Sequence, residues 1–137
     1  VEAALSFCGD GVRGTAGAMM IGLASAGLAA CVEKGPDGPE IIGADPKHGL
    51  ALIESHGCGA CHVIPGVDWP RGQVGGPLKG FANRALIAGK LPNRPDVLVR
   101  WLRDPPALSP DTAMPAAGLT EAQARDVAAY LYTLDDR

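Results

Sequence analysis

HGCGACHVIPG, residues 56–66, brings two cysteines and a histidine within five positions: Cys58, Cys61 and His62. Three chemistries compete for this spacing. A structural zinc ion needs four N or S ligands, commonly from two such pairs. The chain has no second CxxC, and the other histidines, His48 and His56, lie on the same short segment, where four ligands would strain to surround one ion. A redox dithiol needs a βαβ surround, and strand patterning is nearly missing here. CxxCH is also the attachment signature of c-type haem: two thiols add to the vinyl groups and the adjacent imidazole reaches the iron. The rest of the chain must decide among them.

Upstream lies the apolar run AGAMMIGLASAGLAA, residues 16–30. It is shorter than the ~20 residues of a comfortable transmembrane helix and suits the apolar core of an export signal. Its ending LAAC, residues 28–31, resembles the lipobox of bacterial lipoproteins. That resemblance implies cleavage before Cys31 and a diacylglyceryl thioether on its sulfur; an ordinary signal with a nearby cysteine, or an uncleaved anchor, is the alternative. Residues 1–30 are therefore expected to be an export signal. Glu2 and Asp10 are acidic where a signal should be basic, and a start at Val12 would repair the fit. Cys8 would leave with the signal, so every cysteine is then accounted for. Export and haem support each other, because bacterial c-type haem is attached outside the cytoplasmic membrane.

Residues 31–45 read as a lipid-anchored flexible linker, since KGPDGPEIIGAD, residues 34–45, carries three Gly and two Pro with little periodicity. Residues 46–137 form one small domain with a modest core. Two Phe, two Tyr and two Trp in the whole chain give few large fillers, and a haem would supply apolar mass. Asp45-Pro46 reads as a cap and first turn of a helix running through HGLALIES. Residues 63–80 hold five Gly and three Pro and read as a loop. A short helix is predicted over residues 83–88, ending at Gly89. Pro95 opens another, with Val97, Leu98, Trp101 and Leu102 on one buried face, stopped by Asp104-Pro105-Pro106. The last starts at Thr120 with Gln123 in a capping box, and buries Ala124, Val127, Leu131 and Leu134. The domain reads as all-α.

Between the last two helices, DPPALSPDTAMPAAGLT, residues 104–120, holds four prolines, which forbid a helix and favour an extended wall. Met114 stands in its middle. With Met19 and Met20 in the signal, it is the one thioether left to the mature chain. A thioether opposite His62 would favour ferrous iron and raise the reduction potential relative to two imidazoles.

These residues resemble class I (mono-haem) cytochrome c over the whole of residues 46–137. The resemblance implies four short helices and long loops wrapped around one haem c, covalent through Cys58 and Cys61, with His62 and Met114 as axial ligands. Gly49 and Ile53 stand where the family's first helix packs on its last, and Tyr130-Leu131 matches the aromatic-aliphatic pair of the closing helix. Gly75-Gly76-Pro77-Leu78 corresponds to the family's Gly-Pro-x-Leu segment, with Gly76 where the family has proline. The carbonyl there would orient the His62 imidazole, without the fixed φ that proline supplies. Arg84 and Thr112 fall at positions that contact haem propionates, and Trp101 where an aromatic lines the pocket near the methionine. RALIAGKLPNRPDVLVRWLRDP, AMP and RDVAAYLYTL are similar to membrane-tethered bacterial cytochromes c that accompany haem-copper oxidases.

The expected function is thus single-electron transfer, with no bond chemistry of its own, in a respiratory chain and to a terminal oxidase. The expected place is the periplasmic side of a bacterial membrane, held by lipid; soluble periplasmic is the alternative. Haem-attachment machinery is an expected partner in maturation. Two other readings remain: a haem-based small-ligand sensor or enzyme with a labile methionine, and a fixed cytochrome subunit of a dehydrogenase or oxidase complex. The net charge of -3 does not suggest nucleic-acid binding. Residues 71–103 hold seven basic residues against one acidic, Asp96. That stretch predicts docking to a membrane oxidase or dehydrogenase with an acidic site.

Overall fold

The computed structural model describes residues 38–136. The expected export signal and Cys31 lie outside the described residues. Asp45 accepts a hydrogen bond from Lys47 N–H (2.9 Å) and Pro46 opens helix α1, Pro46–Ser55. That is the cap expected where an aspartate precedes a first-turn proline. Helix α2, Pro95–Arg103, buries Val97, Leu98, Trp101 and Leu102. It ends at Asp104, whose side chain then caps the single turn α3, Pro105–Leu108. Helix α4, Glu121–Leu131, starts in a full capping box: Thr120 Oγ1 accepts from Gln123 N–H (3.3 Å), and Gln123 Oε1 accepts from Thr120 N–H (2.9 Å).

Helix α4 is the hub, packing against both α1 and α2. Its crossing with α1 falls at Gly49, where a Cβ would collide with Asp126 O and Val127 N. Only a residue without a side chain lets the two backbones approach so closely. Ile53, Leu98 and Val127, one from each of these three helices, are almost wholly buried at the centre. Phe81 and Tyr132 close one end, with ring centroids 6.0 Å apart and planes tilted by 53°.

Four differences from the expected elements have physical reasons. Residues 83–88 are not a helix. Phe81–Asn83 form one 3-10 turn, and an antiparallel hairpin follows, β1 (Leu86–Ile87) and β2 (Leu91–Pro92), with Leu86 opposite Pro92 and Ile87 opposite Leu91. Ala88 and Gly89 turn it with φ of +49° and +72°, and Lys90 N–H bonds Ile87 O (3.1 Å). A turn with both central residues at positive φ suits the twist of paired strands. Residues 104–120 were expected to hold no helix, yet the two prolines of α3 sit in its first turn, where a missing N–H costs nothing. Leu134 is buried as expected, though beyond the end of α4.

The fourth difference concerns residues 38–45, expected within a flexible linker. Ile41 is buried in the core, Arg125 Nη2 donates to Ile42 O (3.0 Å), and Asp45 N–H donates to Asp126 Oδ1 (2.8 Å). Gly38 runs against Tyr132. An apolar side chain with a site to fill, and backbone groups with partners on α4, turn this part of the linker into a strap on the domain. Among the described residues, no helix is long and apolar enough to span a membrane.

Candidate functional site

The CxxCH segment follows α1 directly. Cys58–Ala60 form a 3-10 turn in which Cys58 O accepts from the N–H of both Cys61 (3.2 Å) and His62 (3.1 Å). The glycine-rich loop then folds back over the motif through three backbone bonds: Gly72 N–H to Gly59 O, Gly75 N–H to Cys61 O and Leu78 N–H to Val63 O, each 2.8 Å. Prolines and glycines that cannot hold a helix here hold a close-fitting cover instead.

That cover brings His62 to Gly76, whose carbonyl accepts from Nδ1 at 2.8 Å. Because a carbonyl only accepts, Nδ1 carries the proton and Nε2 presents its lone pair. Gly76 thus makes the contact expected of it without the fixed φ of a proline. Its neighbour Gly75 matched the glycine of the family's Gly-Pro-x-Leu segment without a role assigned to it, and a Cβ on it would overlap the His62 ring. No periodicity marks such a residue; only the packing of ring on backbone does.

His62 opens onto a cavity of about 760 Å³, within the range of small-molecule and cofactor sites, about 300–1,000 Å³. Cys58, Cys61, His62, Gly76, Leu78, Arg84, Trp101, Thr112 and Met114 all line it. Pro77 does not; it lies outside the cavity, and its carbonyl accepts from Arg84 Nη2. Arg84 also donates to Lys79 O (3.0 Å) and lies over the Phe81 ring, 5.8 Å from its centroid. Its guanidinium therefore braces the 77–79 segment as well as facing the cavity. Thr112 Oγ1 accepts from Met114 N–H (3.2 Å), which leaves its own hydroxyl proton free to donate. Further lining comes from Ile53, Leu98, Val127 and Leu131 on the three packed helices, and from Ala88 and Gly89 at the hairpin tip. Helical periodicity had already marked Leu98, Val127 and Leu131 as buried; nothing in the sequence marked the tip.

The donor set fits a haem and not a zinc ion. Cys58 and Cys61 are not joined to each other and stand half-buried on the cavity wall. Burial, and then the neighbouring Cys61, push the Cys58 thiol above its ordinary pKa, against the pull of a backbone hydrogen bond. The two histidines that a zinc site would need, His48 with Nδ1 bonded to Asp126 Oδ2 (2.7 Å) and His56 with Nδ1 bonded to Leu52 O (2.9 Å), do not gather with the cysteines into a ligand set. Among the described residues no group of three or more His, Cys, Asp or Glu side chains is placed to hold a metal. What remains is two thiols, an imidazole nitrogen, a thioether and apolar walls around one cavity.

The sequence profile of the Cytochrome c family matches residues 47–135. The chain belongs to the cytochrome c family. Its fold is the all-α class I cytochrome c fold, and it carries haem c covalently through the cysteines of its CxxCH, Cys58 and Cys61. Haem-based electron transfer is the activity that membership implies. The cytochrome is similar to cytochrome c oxidase subunit 2 of Alkalihalophilus pseudofirmus, 34% identical over 90 residues that cover 64% of this chain and 25% of that protein. It is similar also to cytochrome c oxidase subunit 2 of Bacillus sp. strain PS3, 32% identical over 111 residues, 77% of this chain and 31% of that protein. The cytochrome thus spans about a quarter to a third of the length of these relatives.

Proposed function

We propose that the domain is a single-electron carrier with His62 Nε2 and Met114 Sδ as the axial ligands of its haem. The observation that carries this reading is the meeting of Cys58, Cys61, His62 and Met114 on one largely apolar cavity. When bound, the haem supplies a one-electron ferric/ferrous couple. The chain's own residues do the rest. The Gly76 carbonyl fixes the His62 tautomer and aims its ring, as an outer partner does for a metal-bound imidazole. Trp101, Leu98 and Val127 keep water from the cavity floor. Arg84 and the free proton of the Thr112 hydroxyl are suited to the haem's carboxylates. His62 and Met114 together would hold the iron with no position left for oxygen or peroxide, which favours relay over catalysis.

The likeness to two oxidase subunits supports a terminal oxidase as the electron acceptor, and a place beside it as a fixed subunit is the second reading that this likeness favours. In the same proposal Cys31 bears lipid after signal removal and holds the domain on the periplasmic face of a bacterial membrane, loaded there by haem-attachment machinery. Docking to an acidic site draws on the basic stretch, but that stretch is partly neutralised. Lys90 pairs with Asp111, Arg94 and Arg100 with Asp96, and Arg103 with Glu121. With Arg84 facing the haem's carboxylates, Arg71 and Lys79 are what remains of it for steering among the described residues, so its pull is weaker than the sequence promises.

The test is the visible spectrum of the haem-loaded protein, oxidised and reduced, with and without carbon monoxide. A c-type spectrum, a red-edge methionine-to-iron band lost in Met114→Ala, and carbon monoxide binding that is weak beside that of Met114→Ala are expected. Ready binding of carbon monoxide by the wild type would overturn the saturated carrier in favour of a sensor or enzyme.

A further inference from the structure

Two segments that border the cavity have no backbone hydrogen bond between them: the hairpin tip, Ala88 and Gly89, and the loop that carries Met114. Residues Ala88, Gly89, Ala113, Pro115 and Ala116 are all exposed, so these segments form the cavity's open side. Just outside each stands a charged residue. Lys90 Nζ donates to Asp111 Oδ2 (2.6 Å) and, more weakly, to Ser109 Oγ (3.5 Å). Ser109 Oγ in turn donates to Asp111 Oδ1 (2.6 Å). Both carboxylate oxygens are therefore used, and Ser109, at 7% exposure, anchors the group in the protein.

We propose that Lys90, Asp111 and Ser109 form a clasp that positions Met114, by fastening the hairpin tip to the methionine loop across the open side of the cavity. The inference rests on the reading of Met114 as an iron ligand. Its connection to the thioether is continuous. Ser109 O accepts from Thr112 N–H (3.0 Å), and Thr112 Oγ1 accepts from Met114 N–H (3.2 Å). Pro110 and Pro115 stiffen the loop on both sides, so releasing Asp111 frees the loop as a unit rather than one side chain. On the other segment, Lys90 N–H bonds Ile87 O (3.1 Å), which ties the lysine to the turn that lines the cavity. Lys90, Ser109 and Asp111 are positioning residues; none touches the cavity itself.

The haem-loaded wild type, Lys90→Gln, Lys90→Arg, Asp111→Asn and Met114→Ala are compared by amide hydrogen exchange over residues 112–117. The same proteins are compared by the red-edge band and by carbon monoxide affinity of the reduced form. Lys90→Gln and Asp111→Asn should speed exchange and raise carbon monoxide affinity by a few-fold, on the order of fivefold for a pair this exposed. Lys90→Arg should restore wild-type behaviour. High salt should move the wild type toward Lys90→Gln while leaving that variant unchanged. Wild-type exchange and carbon monoxide affinity in Lys90→Gln would overturn the clasp. A red-edge band that survives Met114→Ala would instead overturn the ligation reading, and exchange over residues 112–117 would still decide whether the clasp holds the loop.

Discussion

Gly75→Ala probes how closely the chain is built around His62. A Cβ on Gly75 would stand 2.5 and 2.7 Å from the two ring nitrogens, well inside van der Waals contact. Neither side can retreat freely. Gly75 N–H is bonded to Cys61 O (2.8 Å) and Gly76 O holds His62 Nδ1 (2.8 Å). A shift of the backbone breaks the first bond, and rotation of the ring breaks the second. Overpacking costs about 1–3 kcal/mol, and the lost hydrogen bond adds about 1 kcal/mol. In a domain of about 100 residues each kcal/mol moves the melting temperature by about 4–8 °C, so Gly75→Ala should melt roughly 10–25 °C below wild type. Gly76→Ala is the matched contrast. Its Cβ meets no atom within 4 Å and its φ is not in the left-handed region. The added methyl should be neutral or stabilise by up to about 1 kcal/mol through the unfolded chain. Thermal unfolding of the haem-loaded proteins by circular dichroism compares them. Equal melting temperatures for the two variants would refute the account of a ring seated on Gly75.

Two further outcomes follow from titratable groups in the core and at the helix crossing. Burial pushes the Asp126 carboxyl up, but Asp45 N–H and His48 outweigh it and hold the carboxyl below its ordinary pKa. A depressed aspartate stabilises the fold above its unfolded pKa of about 3.9 and loses that contribution as pH falls through its folded value. Stability measured by denaturant should therefore drop at acid pH, and Asp126→Asn should flatten that drop; an unchanged acid limb would exclude the pairing. Tyr132 behaves in the opposite sense. Burial, with Asp96 adding to it, pushes its phenol up to about 12. Its stabilising contribution is whole below the unfolded value of about 10 and is lost as pH rises from there through about 12. Tyr132→Phe should remove this alkaline dependence and cost about 1–2 kcal/mol at neutral pH by leaving Asn93 Oδ1 without its partner at 3.0 Å. A variant as stable as wild type at neutral pH would show that this bond contributes nothing.

Most of the site was legible because its chemistry is local or periodic. CxxCH fixes Cys58, Cys61 and His62 within five positions, and caps at Asp45 and Thr120 fix the starts of α1 and α4. What escaped depends on contacts that spacing does not encode. Residues 83–88 carry good helix formers, yet the chain reverses at Ala88-Gly89 because the hairpin tip completes a cavity wall. Gly75 was marked by the family's Gly-Pro-x-Leu segment, but why a glycine must stand there appears only when the His62 ring is set against it. The basic stretch looks like a docking surface until the acids of its own helix and of distant segments are brought beside it: Asp96, Asp111 and Glu121.

The strap at residues 38–45 changes the mechanics of the proposed tether. Composition alone placed thirteen residues between Cys31 and Asp45, fourteen Cα-to-Cα steps that at about 3.5 Å each could reach roughly 50 Å. Ile41 is buried and Gly38 lies against Tyr132, so the folded domain reaches back at least to residue 38. At most six residues then separate it from Cys31, and seven Cα-to-Cα steps reach at most roughly 25 Å. A domain of about 100 residues has a radius of gyration of about 13 Å, so a lipid on Cys31 would let it turn while keeping it within about two such radii of the membrane surface. A donor and an acceptor served by such a domain must present their sites close to the same surface. If Cys31 bears the proposed lipid, travel between them would depend on lateral movement of the whole protein, and a tether this short would suit a carrier seated beside an oxidase better than one that swings between distant partners.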